Sequence, residues 1–414
     1  MIAADPGFGR GALRGIRVLD LSRFIAGPFC AMLLGDMGAD VVKIEGPGGE
    51  PGRWTGPTYD GESIYTSWFN RNKRAMTLDM RGAPGLGVLR ELIASADVLV
   101  ENFRPGTLAK MGLTAEVLDD LNPALVVVSV SGFGQSGPRR DQVAFDSIAQ
   151  ALSGLMWATG TDGTGPHMVG TFVADHVTGL YAALGALTAL YEKQRSGIGQ
   201  SVDVALLDAT FSIMGVAVPA LAATGESMAR VGNRDQMVSP SGLFEAADGH
   251  AYISAGNDIM FGRLVTATGI EALRDPGFRT LSGRLRRSAE LEELVQRWTA
   301  SRTLEELGAV FGAAGIPFGP VATIADAMAD PQIRHRDMVS RTVAEDGTRF
   351  VVPGHVARLS RSTAATRLPP PKLGEHNEPV LAEWTGASAE RIASLTAEGA
   401  FGEARTGTAV EVAE

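Results

Sequence analysis

One cysteine in 414 residues, Cys30, leaves the chain without an intrachain disulfide or a thiolate zinc site, and its neighbours Phe29, Ala31 and Met32 mark it as a core thiol. The six histidines are scattered, and GxxxxGK[ST], HExxH and GxSxG are all missing. P-loop phosphoryl transfer, zincin hydrolysis and the α/β-hydrolase nucleophile elbow therefore lack their parts, and no metal site is expected. Basic residues are short, 37 against 47 acidic, for a net charge of −10. That balance disfavours nucleic acid and anionic membranes as partners, so any polyanionic ligand must find a local basic cluster. The one long hydrophobic run, 204–224, is interrupted by Asp208 and Pro219, which argues against a membrane span. Residues 1–10 have neither the basic start nor the apolar core of a signal peptide, and the expected location is the reducing cytoplasm.

What is present is a globular composition, 45% hydrophobic and 20% charged, with 51 glycines and length for two or three domains. The first half alternates short β-branched runs with amphipathic segments, the pattern of parallel strands joined by helices. Strands are expected at 16–21, 41–44, 98–100, 125–130 and 202–207, and helices at 28–37, 86–94, 115–121 and 145–155. The stretch 177–191 is apolar all round apart from Thr178 and Thr188, and a helix of that kind is expected to be buried. A second unit opens with a hairpin-like region at 243–255 around Asp248–Gly249 and continues through helices near 260–268, 291–299 and 304–313. The resulting division is a large α/β domain over 11–224, a smaller α+β domain over 225–330, a return and linker with the last short helices over 331–400, and a disordered tail over 401–414.

Three features carry possible chemistry. Gly132, Gly134 and Gly137 form a GxGxxG after an expected strand, but Pro138-Arg139-Arg140-Asp141 stands where a dinucleotide-binding helix would begin, so the segment reads as a flexible loop. Basic residues gather at Arg71, Lys73, Arg74 and Arg81, at Arg104 and Lys110, and at Arg139 and Arg140, either as a solvated face or as an anion site. Asp175 stands at the mouth of the apolar stretch, where free helix amides would keep it ionised with little water around it. Such a carboxylate is a competent acyl nucleophile, although position alone favours an ordinary helix cap.

The blocks GIRVLDLSRFIAGPFCAMLLGDMGADVVKIE, FNRNKRAMTLDM, ADVLVENFRPGTLAKMG, VSGFGQSGP, Ala174-Asp175, GIGQSVDVALLDA and PPPKLGEHNEPVL, in this order, resemble the family III CoA-transferases, a group that also contains α-methylacyl-CoA racemases. The resemblance implies a Rossmann-like large domain built from both ends of the chain, a smaller middle domain, and two subunits threaded through each other as an interlocked homodimer. It implies a CoA site at Phe24, Ile25, Leu78, Arg81, Asn102, Phe103, Lys110 and Met111, with Phe145 and Asp146 beside it. It makes Asp175 the catalytic residue of an acyl-CoA:carboxylate CoA-transferase that works through an aspartyl-acyl anhydride and an aspartyl-CoA thioester. CoA and acyl-CoA are then substrates, and no tightly bound cofactor is needed. Ala255-Gly256-Asn257-Asp258 matches a flexible small-domain loop that approaches the active site in relatives.

The alternative is a 2-methylacyl-CoA racemase or isomerase on the same scaffold, which needs a base on each face of the substrate. Racemases of this group place a histidine 30 residues ahead of the aspartate, where this chain has Phe145 followed by Asp146. His176 is the only nearby substitute.

Overall fold

The computed structural model describes residues 11–402 apart from 60, 61, 344–346, 348 and 363. Residues 1–10 and 403–414, most of the expected tail among them, lie outside the described residues. The chain divides into two compact units, one of residues up to 155, 168–219 and from 334 onward, the other of residues 156–167 and 220–333. The segment 156–167 thus clusters with the second unit, although the sequence boundary at 224 left it in the first.

The first unit is built on a six-stranded, wholly parallel sheet of β1 (Arg17–Asp20), β2 (Asp40–Glu45), β3 (Lys73–Thr77), β4 (Val98–Glu101), β5 (Val126–Ser131) and β6 (Ser201–Ala205). The spatial order is β3-β2-β1-β4-β5-β6, the doubly wound Rossmann order. Alternate strand residues face opposite layers, as the two-residue strand period requires. Val18, Val41, Val98 and Val126 pack toward α1 (Ala26–Asp36) and the long helix Val173–Ser196, while Leu19, Val42, Ile44 and Leu99 pack toward the helices Ala83–Ser95 and Asn377–Thr385. Close approach of α1 to the long helix depends on Gly179, where a Cβ would lie 2.7 Å from the Ala26 carbonyl oxygen and 2.8 Å from the Phe29 ring.

Strand β3 is absent from the sequence reading, which took its residues for a solvated or ligand-binding basic cluster. Arg71, Lys73 and Arg74 are instead buried structural ions. Lys73 Nζ donates to Asp20 Oδ2 at 2.7 Å, to the Pro28 carbonyl at 3.0 Å and to Asn70 Oδ1 at 3.2 Å. Lys43, also fully buried, bonds the Ser22 carbonyl and pairs with Glu50 at 3.1 Å. Burial raises the Asp20 carboxyl, but the charges of Lys43 and Lys73 outweigh it and hold the group below its ordinary range. Arg71 forks onto Asp36, and Arg74 forks onto Asp40 and reaches Glu383.

The free edge of β3 is closed by the return segment. His376 N–H donates to the Ala75 carbonyl at 2.9 Å and the Thr77 N–H donates to Asn377 Oδ1 at 2.9 Å, which covers an edge that would otherwise pair with another chain. Phe401 and Ala400 are buried in the core, and Ala400 accepts the Asp79 N–H, so order extends past the expected start of the tail at 401.

The expected all-round burial of the apolar helix is half met. Ala174, Thr178, Ala182, Ala183, Ala186 and Ala189 are buried, whereas Leu180, Tyr181, Leu184 and Tyr191 are exposed in the single chain. By length and composition this helix could cross a membrane, but its small-residue face packs against α1 and the sheet. The hydrophobic run 204–224 resolves into the end of β6 and two helices, Leu206–Ser212 and Ala217–Thr224.

The second unit carries a three-stranded antiparallel sheet, Ser241–Ala246, Gly249–Ser254 and Phe318–Pro320, with a core that includes Phe244, Ile253, Phe278, Leu291, Leu307 and Phe311. Its helix Leu304–Ala314 starts in a Thr303/Glu306 capping box and ends on Gly315 at φ 62°. Arg284 is fully buried and donates to the carbonyls of Ser239, Phe278 and Gly256 and to Asp258 Oδ1. In the loop Ala255–Asp258, expected to be flexible, this fully buried guanidinium holds the Gly256 carbonyl and the Asp258 carboxylate.

Candidate active site

In an open doubly wound sheet the ligand crevice lies outside the carboxyl ends of the strands where the winding reverses. Here the reversal falls between β1 and β4, and the loops that leave them, 21–25 and 102–106, flank a cavity of about 960 Å³. Asn102 stitches the two loops together, accepting the Arg23 N–H and donating to the Arg23 carbonyl, both at 2.7 Å. Phe24 sits at φ 63°, a left-handed conformation costly for an aromatic residue, with its N–H held at 2.9 Å by the buried Glu50 carboxylate. Its ring meets Phe145 edge to face at a centroid distance of 5.9 Å, and Arg23 lies over Phe103 at 5.3 Å.

Nine of the expected site residues line this cavity: Phe24, Ile25, Arg81, Asn102, Phe103, Met111, Phe145, Asp146 and Asp175. Two do not. Leu78 is fully buried in the core between sheet and helices, and Lys110 is exposed on the short helix Thr107–Lys110, outside the lining. The cations that do line the cavity are Arg23, Arg81, Arg104 and Arg140, and among the described residues none of the four makes a salt bridge. Tyr65, Phe172 and Gln142 also face it, and no motif in the sequence announces them.

Asp175 belongs to the helix Val173–Ser196, here α2, but does not cap it. It is the third helical residue, behind Phe172, which offers no side-chain cap. The amides expected to keep Asp175 ionised are taken by another carboxylate. Asp146, the first residue of α3 (Asp146–Leu152), accepts the N–H groups of Ala174 at 2.8 Å and Asp175 at 3.2 Å through Oδ1. Burial, and then the neighbouring Asp146 charge, push the Asp175 carboxyl up to about 7, so the expectation of a firmly ionised aspartate is corrected. Tyr65 is raised by its own burial and by the charges of Asp175 and Glu50.

His176 turns away from this cavity. Its ring packs at 5.0 Å from Phe29 and 5.2 Å from Trp68, and Nδ1 lies 2.6 Å from the Phe172 carbonyl oxygen. The arrangement as a whole is an apolar-walled cleft with arginines that make no salt bridge among the described residues and a carboxyl group raised by burial, suited to a large anionic substrate and to nucleophilic chemistry.

Residues 13–377 match the family described as CoA-transferase family III. The succinyl-CoA–D-citramalate CoA-transferase of Chloroflexus aurantiacus is 37% identical over 390 residues, spanning 93% of this chain and 97% of that protein. The succinate–glutarate CoA-transferase of Agrobacterium fabrum is 37% identical over 382 residues, 90% of this chain and 95% of that one. Among solved structures, a CAIB/BAIF family protein from Brucella suis superposes with a TM-score of 0.82 at 35% identity, covering 91% of this chain and all of the other.

Proposed function

Because the chain belongs to CoA-transferase family III, we propose that it moves CoA from an acyl-CoA, of the succinyl-CoA type named for its relatives, to a second carboxylic acid, with Asp175 as the nucleophile. The observation that carries this reading is the presence, in one cleft at the switch point, of a carboxyl group pushed up to about 7 by burial and the Asp146 charge, together with four arginines that have no salt-bridge partner among the described residues.

The arginines supply cations for the phosphates of CoA, and Phe24, Phe103 and Phe145 supply flat apolar walls for its adenine and pantetheine arms. Asp175, once ionised, attacks the thioester carbonyl through one oxygen. The C–S bond breaks, CoA leaves as thiolate, and a mixed aspartyl-acyl anhydride remains. The thiolate attacks the aspartyl carbonyl, expelling the donor acid as a carboxylate and leaving an aspartyl-CoA thioester. The acceptor carboxylate then repeats both steps in reverse order and departs as the new acyl-CoA, so no proton is gained or lost overall. A raised pKa suits the first step, since a poorly solvated carboxylate is a stronger nucleophile than one in water.

The exposed apolar face of α2, Leu180, Tyr181, Leu184 and Tyr191, supports the expected homodimer, since a patch of that kind marks an interaction surface. The racemase alternative is disfavoured, because Phe145 has no titratable proton and His176 faces an aromatic box instead of the cleft. The test is a panel of acyl-CoA donors against carboxylate acceptors read by mass spectrometry. At least one pair should exchange CoA with the wild type and none with Asp175→Ala. Epimerisation of a 2-methylacyl-CoA without any exchange would select the alternative.

A further inference from the structure

A helix N-terminus leaves four N–H groups unpaired, and a side chain just ahead of the helix normally meets those of its second and third residues. In α2 those residues are Ala174 and Asp175, and the oxygen that meets both belongs to Asp146, 28 and 29 positions earlier. Asp146 is 5% exposed, and its other oxygen accepts Gln150 Nε2 at 2.6 Å from one turn along α3. Gln150 is fully buried and is itself committed on both sides: Oε1 accepts the Val169 N–H at 3.0 Å, and Nε2 also reaches the Thr171 carbonyl at 3.4 Å. One pair of side chains thus holds α3, the approach segment 169–171 and the first turn of α2.

We propose that Asp146, clamped by Gln150, is the positioning residue for Asp175: it fixes the turn that carries the nucleophile and sets that carboxyl's reactivity by its own charge. The inference rests on the reading of Asp175 as nucleophile. It also reassigns Asp146, which the family resemblance groups with the CoA site, since both its oxygens are spent on protein donors.

The charged and titratable groups around Asp175 distinguish the source of this effect. Tyr65 and the four cavity arginines line the same cleft, and His176 points elsewhere. Of these groups, Asp146 is the one whose charge acts to raise Asp175, second to burial itself. Removing that charge lets Asp175 ionise at lower pH, although burial still holds it above the ordinary carboxylate value. Removing the Gln150 clamp leaves the charge in place.

The experiment compares wild type, Asp146→Asn and Gln150→Leu. The protonated-carboxyl band of Asp175 is titrated by difference infrared spectroscopy, each protein against its own Asp175→Asn counterpart and without substrate. Wild type should titrate near 7, Asp146→Asn at least one pH unit lower, and Gln150→Leu within a few tenths of wild type. With an active donor and acceptor pair, both variants should lose kcat while KM for the acyl-CoA changes less than about twofold, and the acid limb of the Asp146→Asn rate profile should follow its infrared midpoint. An unmoved midpoint in Asp146→Asn, or equal midpoints in the two variants, overturns the proposal. The infrared titration needs no turnover, so it gives its answer even if the wild type transfers no CoA, a result that would count against the proposed function alone.

Discussion

A nucleophile held in its less favourable charge state should destabilise the fold that holds it, and Asp175→Asn measures by how much. The folded carboxyl has a pKa of about 7 against 3.8 for the free side chain, with burial as the larger cause and the Asp146 charge as the smaller. Below pH 3.8 both folded and unfolded chains carry the proton and no penalty arises. Between that point and about 7 the unfolded chain ionises first, so native stability falls as pH rises; above 7 both are ionised and the full penalty stands. At about 1.4 kcal/mol per pKa unit the ceiling is roughly 4 kcal/mol, of which more than half accrues between pH 5 and pH 8. An amide of the same shape carries no such penalty. Any steric or hydrogen-bonding difference between Asn and Asp is independent of pH, so the informative quantity is the change in the stability gap. In urea unfolding at fixed protein concentration, Asp175→Asn should gain on the wild type by about 2–3 kcal/mol on going from pH 5 to pH 8. A gap that stays constant across that range, or that moves in favour of the wild type, would refute the perturbed carboxyl.

The basic lining and the buried ions give two further tests. Arg104→Ala combined with Arg140→Ala should weaken CoA binding by about tenfold or more and flatten its dependence on salt, whereas Lys110→Ala, outside the cleft, should change affinity less than about twofold. Isothermal titration at two ionic strengths reads both effects, and equal losses in the two proteins would remove the arginines from the site. Lys73→Met should cost about 2–3 kcal/mol of stability, because it removes the buried donor shared by Asp20, Asn70 and the Pro28 carbonyl and leaves Asp20 with Lys43, at 3.8 Å, as its remaining cation partner among the described residues. A melting temperature within about one degree of wild type would contradict the structural role assigned to that lysine.

The parallel sheet is legible in the sequence wherever its strands are β-branched, as at Val126–Ser131, because burial on both faces selects such residues locally. Lys73–Thr77 is illegible by the same rule. Its strand character depends on Asp20, Asp40 and Glu383, whose sequence distance hides the pairing, so a buried ionic ladder reads as a basic patch. The cleft is similar. Phe24, Asn102 and Arg81 are carried by recognisable blocks, but Lys110 lies outside the cavity lining and Arg140 inside it, because the turn of the loop after β5, and not proximity in sequence, brings that cation to the cavity. The position of Asp175 can be read from the resemblance. Its protonation cannot, since the residue that caps its helix lies on a different helix and Gln150 carries no signal beyond that of an ordinary buried amide. The long apolar helix reads as buried, although half of its surface is exposed in a single chain.

The most direct test of the central claim is covalent. The protein is incubated at pH 8 with a transferable acyl-CoA and no acceptor, quenched with hydroxylamine or borohydride, digested, and the peptide containing Asp175 is weighed. The account predicts conversion of Asp175 alone, to the hydroxamate or to the alcohol, dependent on acyl-CoA and absent when CoA is supplied without its acyl group. Transfer activity that proceeds while the Asp175 peptide stays unmodified, or modification that maps to another carboxylate, would contradict it.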